Sequence, residues 1–231
     1  MCIRDSFKDD LRHGQGILTG QDGFRYEGDW VLGKMSGAGK IIYSSGSIYE
    51  GSFENNQPNG QGKINFSDGG SYEGSWNNGV IEGSGVAKYA NGLVYKGEFS
   101  RGKNNGSGTM TYSDGYSYKG NWKNGIQEGE GEEIFPNGTT YKGEFKNNQR
   151  HGKGIMKMPD GFSYTGDWVS GEMSGKGNVV YANGDQYDGY FLNGKREGKG
   201  IMTFQDGKIE DAIWKDGKKI QKDTSNSITN N

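Results

Sequence analysis

One motif recurs along this chain at a strict interval of 23 residues. It opens with a tyrosine and a glycine, as in the YKGEF of residues 95–99, and the same opening starts again at Tyr118. All glycines except Gly20 and Gly70 lie at five fixed positions of the repeat: 3, 8, 12, 14 and 21. Such regularity indicates one supersecondary unit that buries its apolar face against copies of itself. The opening tyrosines are Tyr26, Tyr49, Tyr72, Tyr95, Tyr118, Tyr141, Tyr164 and Tyr187.

Each repeat predicts two strands. Positions 1, 3 and 5 alternate with mostly polar residues, as in the YEGSW of residues 72–76, which predicts a first strand with one aromatic face. A second strand is predicted over positions 13 to 18, where positions 14, 16 and 18 share one face. Positions 20 and 21 usually read Asp-Gly or Asn-Gly, a strong signal for a hairpin turn into the next repeat.

The type of that turn decides which residues pair. A two-residue turn would set the next tyrosine opposite position 17. A three-residue loop ending in a left-handed glycine would set it opposite position 16 and pair Gly85 with Gly97. Pro136 and Pro159 both stand at position 19, the favoured second residue of a type I turn in the longer loop. We therefore expect the second register, with tyrosines, position 5, position 16 and position 18 on one face.

Paired glycines predict a bare backbone trough on which neighbouring rings lie. Position 5 alternates between Trp and Phe, which gives a period of 46 residues. This alternation favours large-and-small packing between adjacent hairpins. A ladder of rings that contacts a ligand is the alternative.

Composition excludes several classes of function. The net charge is about −2 with both signs interspersed, so the chain lacks the basic patch that nucleic acid requires. The sequence contains no apolar run near 18 residues and no signal peptide pattern. Cys2 is the single cysteine, which fits a reducing compartment. These features predict a cytoplasmic protein, with association to the cytoskeleton or a membrane left open.

The motif Tyr-x-Gly-x-Trp/Phe-x-x-Gly-x-x-x-Gly-x-Gly at this spacing resembles the MORN (membrane occupation and recognition nexus) repeat, over roughly residues 11–216. The resemblance implies an all-β fold, an elongated single-layer antiparallel sheet of stacked hairpins in the form of a curved rod or half-pipe. It also implies a groove that takes a partner segment. Members of the family include cytoskeletal and ciliary scaffolds, junctophilins and regulatory parts of plant-type phosphatidylinositol phosphate kinases.

The ends depart from the repeat pattern. Residues 1–10 are expected to be irregular, with 1–6 either foreign sequence or a sign that the chain is a fragment. The array is expected over 11–216, as a partial repeat (11–25), eight full repeats (26–209) and a capping half-repeat (210–216). Residues 217–231 are predicted to be a polar, disordered tail.

The sequence offers no constellation for catalysis. His13 and His151 occupy the same position of repeats that are six apart, so they are expected to lie too far from each other to share a metal. The recurring Gly-x-Gly pairs lack the Gly-Lys-Ser/Thr ending of a phosphate loop. We therefore predict no enzyme activity, no catalytic residue, no metal and no cofactor.

Glu133 interrupts the otherwise apolar row at position 16 and is expected to face Tyr141. It either reaches water or provides a polar contact for a bound basic or amide-rich segment.

These observations predict a non-enzymatic scaffold that binds a protein segment in an aromatic groove expected to stay partly exposed. Its residues are predicted to be Tyr72, Trp76, Tyr89, Tyr95, Phe99, Tyr112, Tyr118, Trp122, Glu133 and Phe135. One alternative is the regulatory portion of a phosphatidylinositol phosphate kinase or another enzyme whose catalytic domain is missing. The other is a membrane tether with weak contact to anionic phospholipid through Lys215, Lys218, Lys219 and Lys222. No nucleic-acid partner is expected, and the oligomeric state is left open.

Overall fold

The computed structural model of the chain describes residues 6–222, which form strands and turns without any helix. The strands are β1 (Phe7–Lys8), β2 (Leu11–Arg12), β3 (Gly14–Thr19), β4 (Arg25–Val31), β5 (Lys34–Ile42), β6 (Ile48–Glu54), β7 (Gln57–Asn65), β8 (Ser71–Asn77), β9 (Val80–Lys88), β10 (Val94–Ser100), β11 (Lys103–Thr111), β12 (Ser117–Lys123), β13 (Ile126–Ile134), β14 (Thr140–Lys146), β15 (Gln149–Lys157), β16 (Ser163–Val169), β17 (Glu172–Val180), β18 (Gln186–Leu192), β19 (Lys195–Thr203), β20 (Ile209–Lys215) and β21 (Lys218–Lys222).

Strands β3 to β21 form one long, open antiparallel sheet of 19 strands in hairpin repeats, which confirms the predicted all-β hairpin architecture. At its two ends, β3 pairs with β4 and β21 pairs with β20. The chain divides into two compact units. The N-terminal unit is Met1–Ser113 with Trp122–Gly125, and the C-terminal unit is Asp114–Asn121 with Ile126–Asn231.

The predicted register between repeats is confirmed. Tyr95 lies opposite Ala87 at position 16, and Gly97 lies opposite Gly85. In the C-terminal unit, Glu133 lies opposite Tyr141, as expected. The loops between repeats have the expected form, because each ends on a glycine with a positive φ that L side chains rarely adopt.

A second turn within each repeat was not predicted. It occupies positions 7 and 8, where both residues have positive φ, as at Asn55 (φ 50°) and Asn56 (φ 71°). Two successive left-handed residues make the type I′ turn that matches the twist of a hairpin. Asparagine serves here because its short polar side chain tolerates this conformation.

The predicted bounds of the second strand were wrong. In the repeat that opens at Tyr49 we expected a strand over 61–66, whereas β7 begins four residues earlier, at Gln57. The glycine at position 12 lies inside the strand, where Gly60 has a φ of 90° and the pairing of β6 with β7 shifts between Gly51 and Phe53. The glycine at position 12 therefore marks a bulge inside the second strand, whereas the prediction started the strand only after this glycine.

Both ends contain more structure than expected. Phe7 pairs with Arg12, so residues 6–10 belong to a short hairpin, while residues 1–5 lie outside the described part. The capping half-repeat is a full hairpin, in which β20 pairs with β21 and Trp214 lies opposite Lys219. The predicted tail therefore starts too early at 217, and residues 223–231 lie outside the described part.

Candidate binding surface

The opening tyrosines and the rings at position 5 form a continuous packing arrangement within each unit, called here the ring ladder. Tyr26 packs edge-on against Trp30 of its own repeat and Phe53 of the next, with ring centroids 5.2 Å apart in both cases. Edge-to-face pairs at this separation stabilise beyond the area they bury. The alternation of Trp and Phe thus serves packing between hairpins.

Glycine makes room for the ladder. A Cβ added at Gly39 would lie 2.6 Å from the Tyr26 ring, and one added at Gly28 would lie 2.5 Å from the facing backbone. The Tyr26 hydroxyl then donates a hydrogen bond to the Asp29 carbonyl at 2.7 Å. Burial, with the Asp29 charge as a second cause, raises the pKa of Tyr26 to about 12. The tyrosine is therefore a neutral, satisfied core residue.

The structure contradicts part of the predicted groove. We expected its rings to stay partly exposed, but those of the ladder are buried, because they fill the trough above the glycines and cover one another. Their exposed fractions are 1% for Tyr72, 9% for Trp76, 0% for Tyr95, 5% for Phe99, 0% for Tyr118 and 7% for Trp122. These six side chains cannot meet a partner directly in this conformation.

The side chains at position 18 remain accessible on the same face; we call them the position-18 row. Of the predicted groove residues, Tyr89 is 42% exposed, and Tyr112 and Phe135 are half-buried. The row comprises Tyr43, Phe66, Tyr89 and Tyr112 in the N-terminal unit, and Phe135, Met158, Tyr181 and Phe204 in the C-terminal unit.

Glu133 neither reaches water nor awaits a partner segment, which corrects both interpretations of it. Its side chain is buried, and one carboxylate oxygen accepts a hydrogen bond from the Tyr116 hydroxyl at 2.6 Å. The other forms an ion pair with the Nε of Arg150 at 2.7 Å. The Arg150 guanidinium in turn stacks over Phe135 and Tyr141, 5.2 and 4.9 Å from their centroids. The charge of Glu133, which interrupts the apolar row at position 16, is thus neutralised by Arg150 of the next repeat.

Arg150 was missed from the sequence. It stands at position 10, which lies across the hairpin from the ring at position 5, and Arg150 itself pairs with Phe145. The available signal was the recurrence of arginine 18 residues before a tryptophan, as in Arg12 with Trp30 and Arg196 with Trp214. In both pairs the guanidinium lies over the indole, at 5.2 and 3.8 Å from its centroid.

Cavities occur on both faces. On the ring face of the C-terminal unit, a cavity of about 560 Å³ is lined by residues that include Phe162, Tyr181, Met202 and Arg196. On the opposite face, each unit has open troughs above the glycine pairs. One of them, about 960 Å³, lies in the N-terminal unit between charged side chains that include Glu73 and Glu98.

The lysines of the predicted lipid patch differ in their surroundings. Lys215 and Lys218 are exposed, whereas Lys219 forms an ion pair with Glu210 at 2.8 Å. Lys208 contacts the same carboxylate at 2.8 Å, and together the two lysines lower the pKa of Glu210 to about 2. The side chain of Lys222 lies outside the described residues.

Residues 6–222 contain no cluster of three His, Cys, Asp or Glu side chains suited to hold a metal ion. In that same range, no helix has the length and apolar character needed to cross a membrane.

The sequence profile of the MORN repeat matches nine consecutive segments of the chain, at residues 6–25, 26–48, 49–71, 72–94, 95–115, 118–140, 141–162, 164–186 and 187–209. The chain belongs to the MORN repeat family. The resemblance seen in the tyrosine and glycine spacing is therefore confirmed. A search of curated proteins returned no match.

Solved structures with a similar chain trace include the TCP10 domain of Danio rerio CPAP (13% identity, TM-score 0.49, covering 90% of this chain and 98% of that one). Another is the SAS-4 (dCPAP) TCP domain of Drosophila melanogaster, solved with a proline-rich motif of Ana2 (14% identity, TM-score 0.40, covering 93% and 97%). A third is the CPAP G-box domain, for which a role in centriole elongation is suggested (12% identity, TM-score 0.35, covering 87% and 100%).

Proposed function

We propose that this MORN repeat protein is a non-enzymatic scaffold that binds a segment of a partner protein along the position-18 row. The observation that carries the proposal is the contrast in burial on one face. The ladder tyrosines are 0–1% exposed, whereas Phe66 and Tyr89 of the row are 39% and 42% exposed. The buried ladder thus supports the row, and the row offers aromatic and apolar surface that stays accessible to solvent.

Repetition distinguishes this row from scattered surface residues. A single exposed ring is ordinary on a soluble protein. Here an aromatic or methionine side chain returns at the same position of each of the eight full repeats, in both units. Within one unit, two strands of roughly 4.8 Å per repeat place successive side chains about 9.6 Å apart. An extended or helical segment laid along the row would therefore meet one such contact in each repeat.

The troughs on the opposite face are the competing surface. Their volume is larger, but Glu73 and Glu98 in the N-terminal unit, and Lys142, Lys153 and Lys176 in the C-terminal unit, stand among the residues that line them. A partner there would have to desolvate or neutralise these charges, which costs free energy. Aromatic side chains, by contrast, dominate the binding energy of most interfaces. We therefore place the partner on the ring face.

The cellular setting follows from the family alone. We propose a cytoplasmic scaffold in cytoskeletal, ciliary or membrane-adjacent assemblies. The lipid alternative has less support, because Lys219 is already paired with Glu210 and the net charge of the chain is close to neutral.

The proposal is tested by selecting binding segments from a displayed library of random 20-residue peptides, with the whole chain as bait. Affinities of enriched peptides are then measured for the wild type and for Tyr89→Ala with Tyr112→Ala. We expect dissociation constants at least about tenfold weaker in the double variant. Val80→Ala, which truncates a 44% exposed apolar side chain at the start of β9, is the matched control and should bind as the wild type does. Equal affinity in all three proteins would contradict the proposal.

A further inference from the structure

Two arginines of the C-terminal unit occupy equivalent places in repeats that lie 46 residues apart. Arg150 and Arg196 both stand at position 10, and both guanidiniums stack on rings of the ladder. Arg150 lies 4.9 Å from the Tyr141 centroid and 5.4 Å from that of Trp168. Arg196 lies over the equivalent rings, 5.7 Å from the Tyr187 centroid and 3.8 Å from that of Trp214. Within the described part of the C-terminal unit, these are two copies of one cation site.

The two copies differ in what neutralises the cation. Glu133 pairs with Arg150, and the Tyr116 hydroxyl holds the other carboxylate oxygen. The residues 46 positions later are Val179 in place of the glutamate and Phe162 in place of the tyrosine. Val179 is 1% exposed, so an apolar side chain occupies the place of the acid. The carboxylate and the hydroxyl that orients it are thus both missing beside Arg196.

Within residues 6–222, the Arg196 guanidinium has N–H donors that form no hydrogen bond. One Nη donates to the Gly217 carbonyl at 2.9 Å, and within residues 6–222 the guanidinium has no carboxylate partner. A guanidinium carries five N–H donors in a planar fork that matches a carboxylate. A half-buried guanidinium forms stronger hydrogen bonds with an ionised partner than with a neutral one.

The space beside Arg196 is open. The cavity of about 560 Å³ on the ring face is lined by Arg196 together with Met158, Phe162, Tyr181 and Met202. Met158 and Tyr181 belong to the position-18 row, so the cavity is continuous with the proposed binding surface. Part of its wall is apolar and aromatic, and Arg196 is the cation among its lining residues.

Two carboxylates also line this cavity, and both are already engaged in turns. Asp160 accepts a hydrogen bond from the Phe162 amide at 2.9 Å. Asp185 accepts one from the Gln205 amide at 2.9 Å and one from the Asn183 side chain at 2.8 Å. These hydrogen bonds stabilise the loops at the rim, and neither carboxylate forms an ion pair with Arg196. Their charges repel a dianionic group such as a phosphate more strongly than a carboxylate, which carries a single charge.

We propose that this cavity is a carboxylate subsite, which takes a Glu or Asp side chain of the partner segment. The carboxylate pairs with the Arg196 guanidinium from the cavity, since Val179 fills the place that Glu133 holds beside Arg150, and apolar residues next to it in the segment lie on Phe162 and Tyr181. The inference rests on the proposed function, since it names a chemical requirement for the segment that the position-18 row binds.

The test uses two matched probes, the capped tripeptides acetyl-Phe-Glu-Phe-amide and acetyl-Phe-Gln-Phe-amide, with the whole chain labelled with ¹⁵N-arginine. The Arg196 Nε–H signal is assigned from Arg196→Gln. We expect the Glu peptide to shift this signal and to bind at least about tenfold more tightly than the Gln peptide. The Arg150 signal should stay in place, because Glu133 already occupies its partner position.

A transplant variant supplies the second measurement. Phe162→Tyr with Val179→Glu rebuilds the arrangement of Tyr116 and Glu133 beside Arg196, and we expect the advantage of the Glu peptide to disappear. If this variant does not fold, Arg196→Gln should reduce the advantage to less than about twofold. Equal affinity of the two peptides for the wild type, or an advantage that persists in Arg196→Gln, would overturn the subsite. Neither result changes whether display-selected peptides need Tyr89 and Tyr112 for binding, and that measurement tests the proposed function separately.

Discussion

The Nε of Arg150 lies 2.7 Å from a carboxylate oxygen of Glu133, and both side chains are largely buried on the ring face of the C-terminal unit. At the equivalent positions 16 and 10 of consecutive repeats, the N-terminal unit has, for example, the apolar residues Ile64 and Ile81. A buried ion pair adds little net stability over an apolar pair of similar volume, whereas removal of one partner alone leaves an uncompensated charge. Its energetic signature is therefore strong coupling between the two residues.

Removal of one member of the Glu133–Arg150 pair should lower the free energy of unfolding more than removal of both. We expect Glu133→Ala to lower the free energy of unfolding by about 2–3 kcal/mol, because it leaves the largely buried Arg150 guanidinium without its counter-ion. The double variant Glu133→Val with Arg150→Met should cost less than the single one. Urea denaturation of the three proteins measures both values. Additive losses in the double variant would contradict the coupling.

Glycines of the trough should tolerate a methyl group far less well than glycines of the turns. A Cβ at Gly85 would lie 2.5 Å from the Tyr72 ring, so we expect Gly85→Ala to cost about 2–3 kcal/mol of unfolding free energy. Gly102 has a φ of 74° with open space around it, and Gly102→Ala should cost only about 1 kcal/mol of backbone strain. Thermal and urea unfolding give the comparison. The reverse order of cost would show that the trough is not packed as described.

The sequence predicted the repeat, its two strands and its register because each depends on local chemistry. Pro136 and Pro159 have a fixed φ, and that restriction indicated the loop that pairs Gly85 with Gly97. The turn at positions 7 and 8 escaped prediction since its residues vary. Asn55 and Asn56 fill it in one repeat, and Leu32 with Gly33 fill it in another.

Burial was harder to predict than pairing. A single-layer sheet has no second layer to cover its rings, so Trp76 and Trp122 were expected to be accessible. In the structure the rings cover one another across neighbouring repeats, which is a cooperative effect that no single repeat displays. The role of Glu133 was missed for a related reason, because its partner Arg150 lies 17 residues away in the next repeat.

Rings of the ladder and rings of the position-18 row should differ in how much they contribute to the free energy of unfolding. We expect Trp76→Ala to cost about 3–5 kcal/mol of unfolding free energy, since the indole is buried and its Nε1 donates to the Gly62 carbonyl at 3.2 Å. Tyr89→Ala should cost about 1 kcal/mol or less, because the ring is 42% exposed. Circular dichroism during urea titration tests this. A similar cost for both would place Tyr89 in the core.

The ladder tyrosines predict a loss of stability at alkaline pH. Burial raises the pKa of Tyr49, Tyr95 and Tyr187 to about 12, above the ordinary value of 10.0. The folded protein therefore retains protons that the unfolded chain loses first. The stabilisation is fully present below pH 10 and is lost as the pH rises from 10 to 12. Urea midpoints across this range should fall, and constant midpoints would contradict the burial of these hydroxyls.

The central claim, that the partner segment lies on the ring face, is tested most directly by comparing both faces with one selected peptide. Ring-face variants are Tyr89→Ser and Tyr112→Ser, and opposite-face variants are the charge reversals Glu73→Lys and Glu98→Lys. Isothermal titration calorimetry gives each dissociation constant after circular dichroism has established that each variant folds. The account predicts at least about tenfold weaker binding for the ring-face pair and less than about twofold change for the charge reversals. Loss of binding in the charge reversals, with unchanged affinity in the ring-face pair, would place the partner in the glycine troughs and contradict the claim.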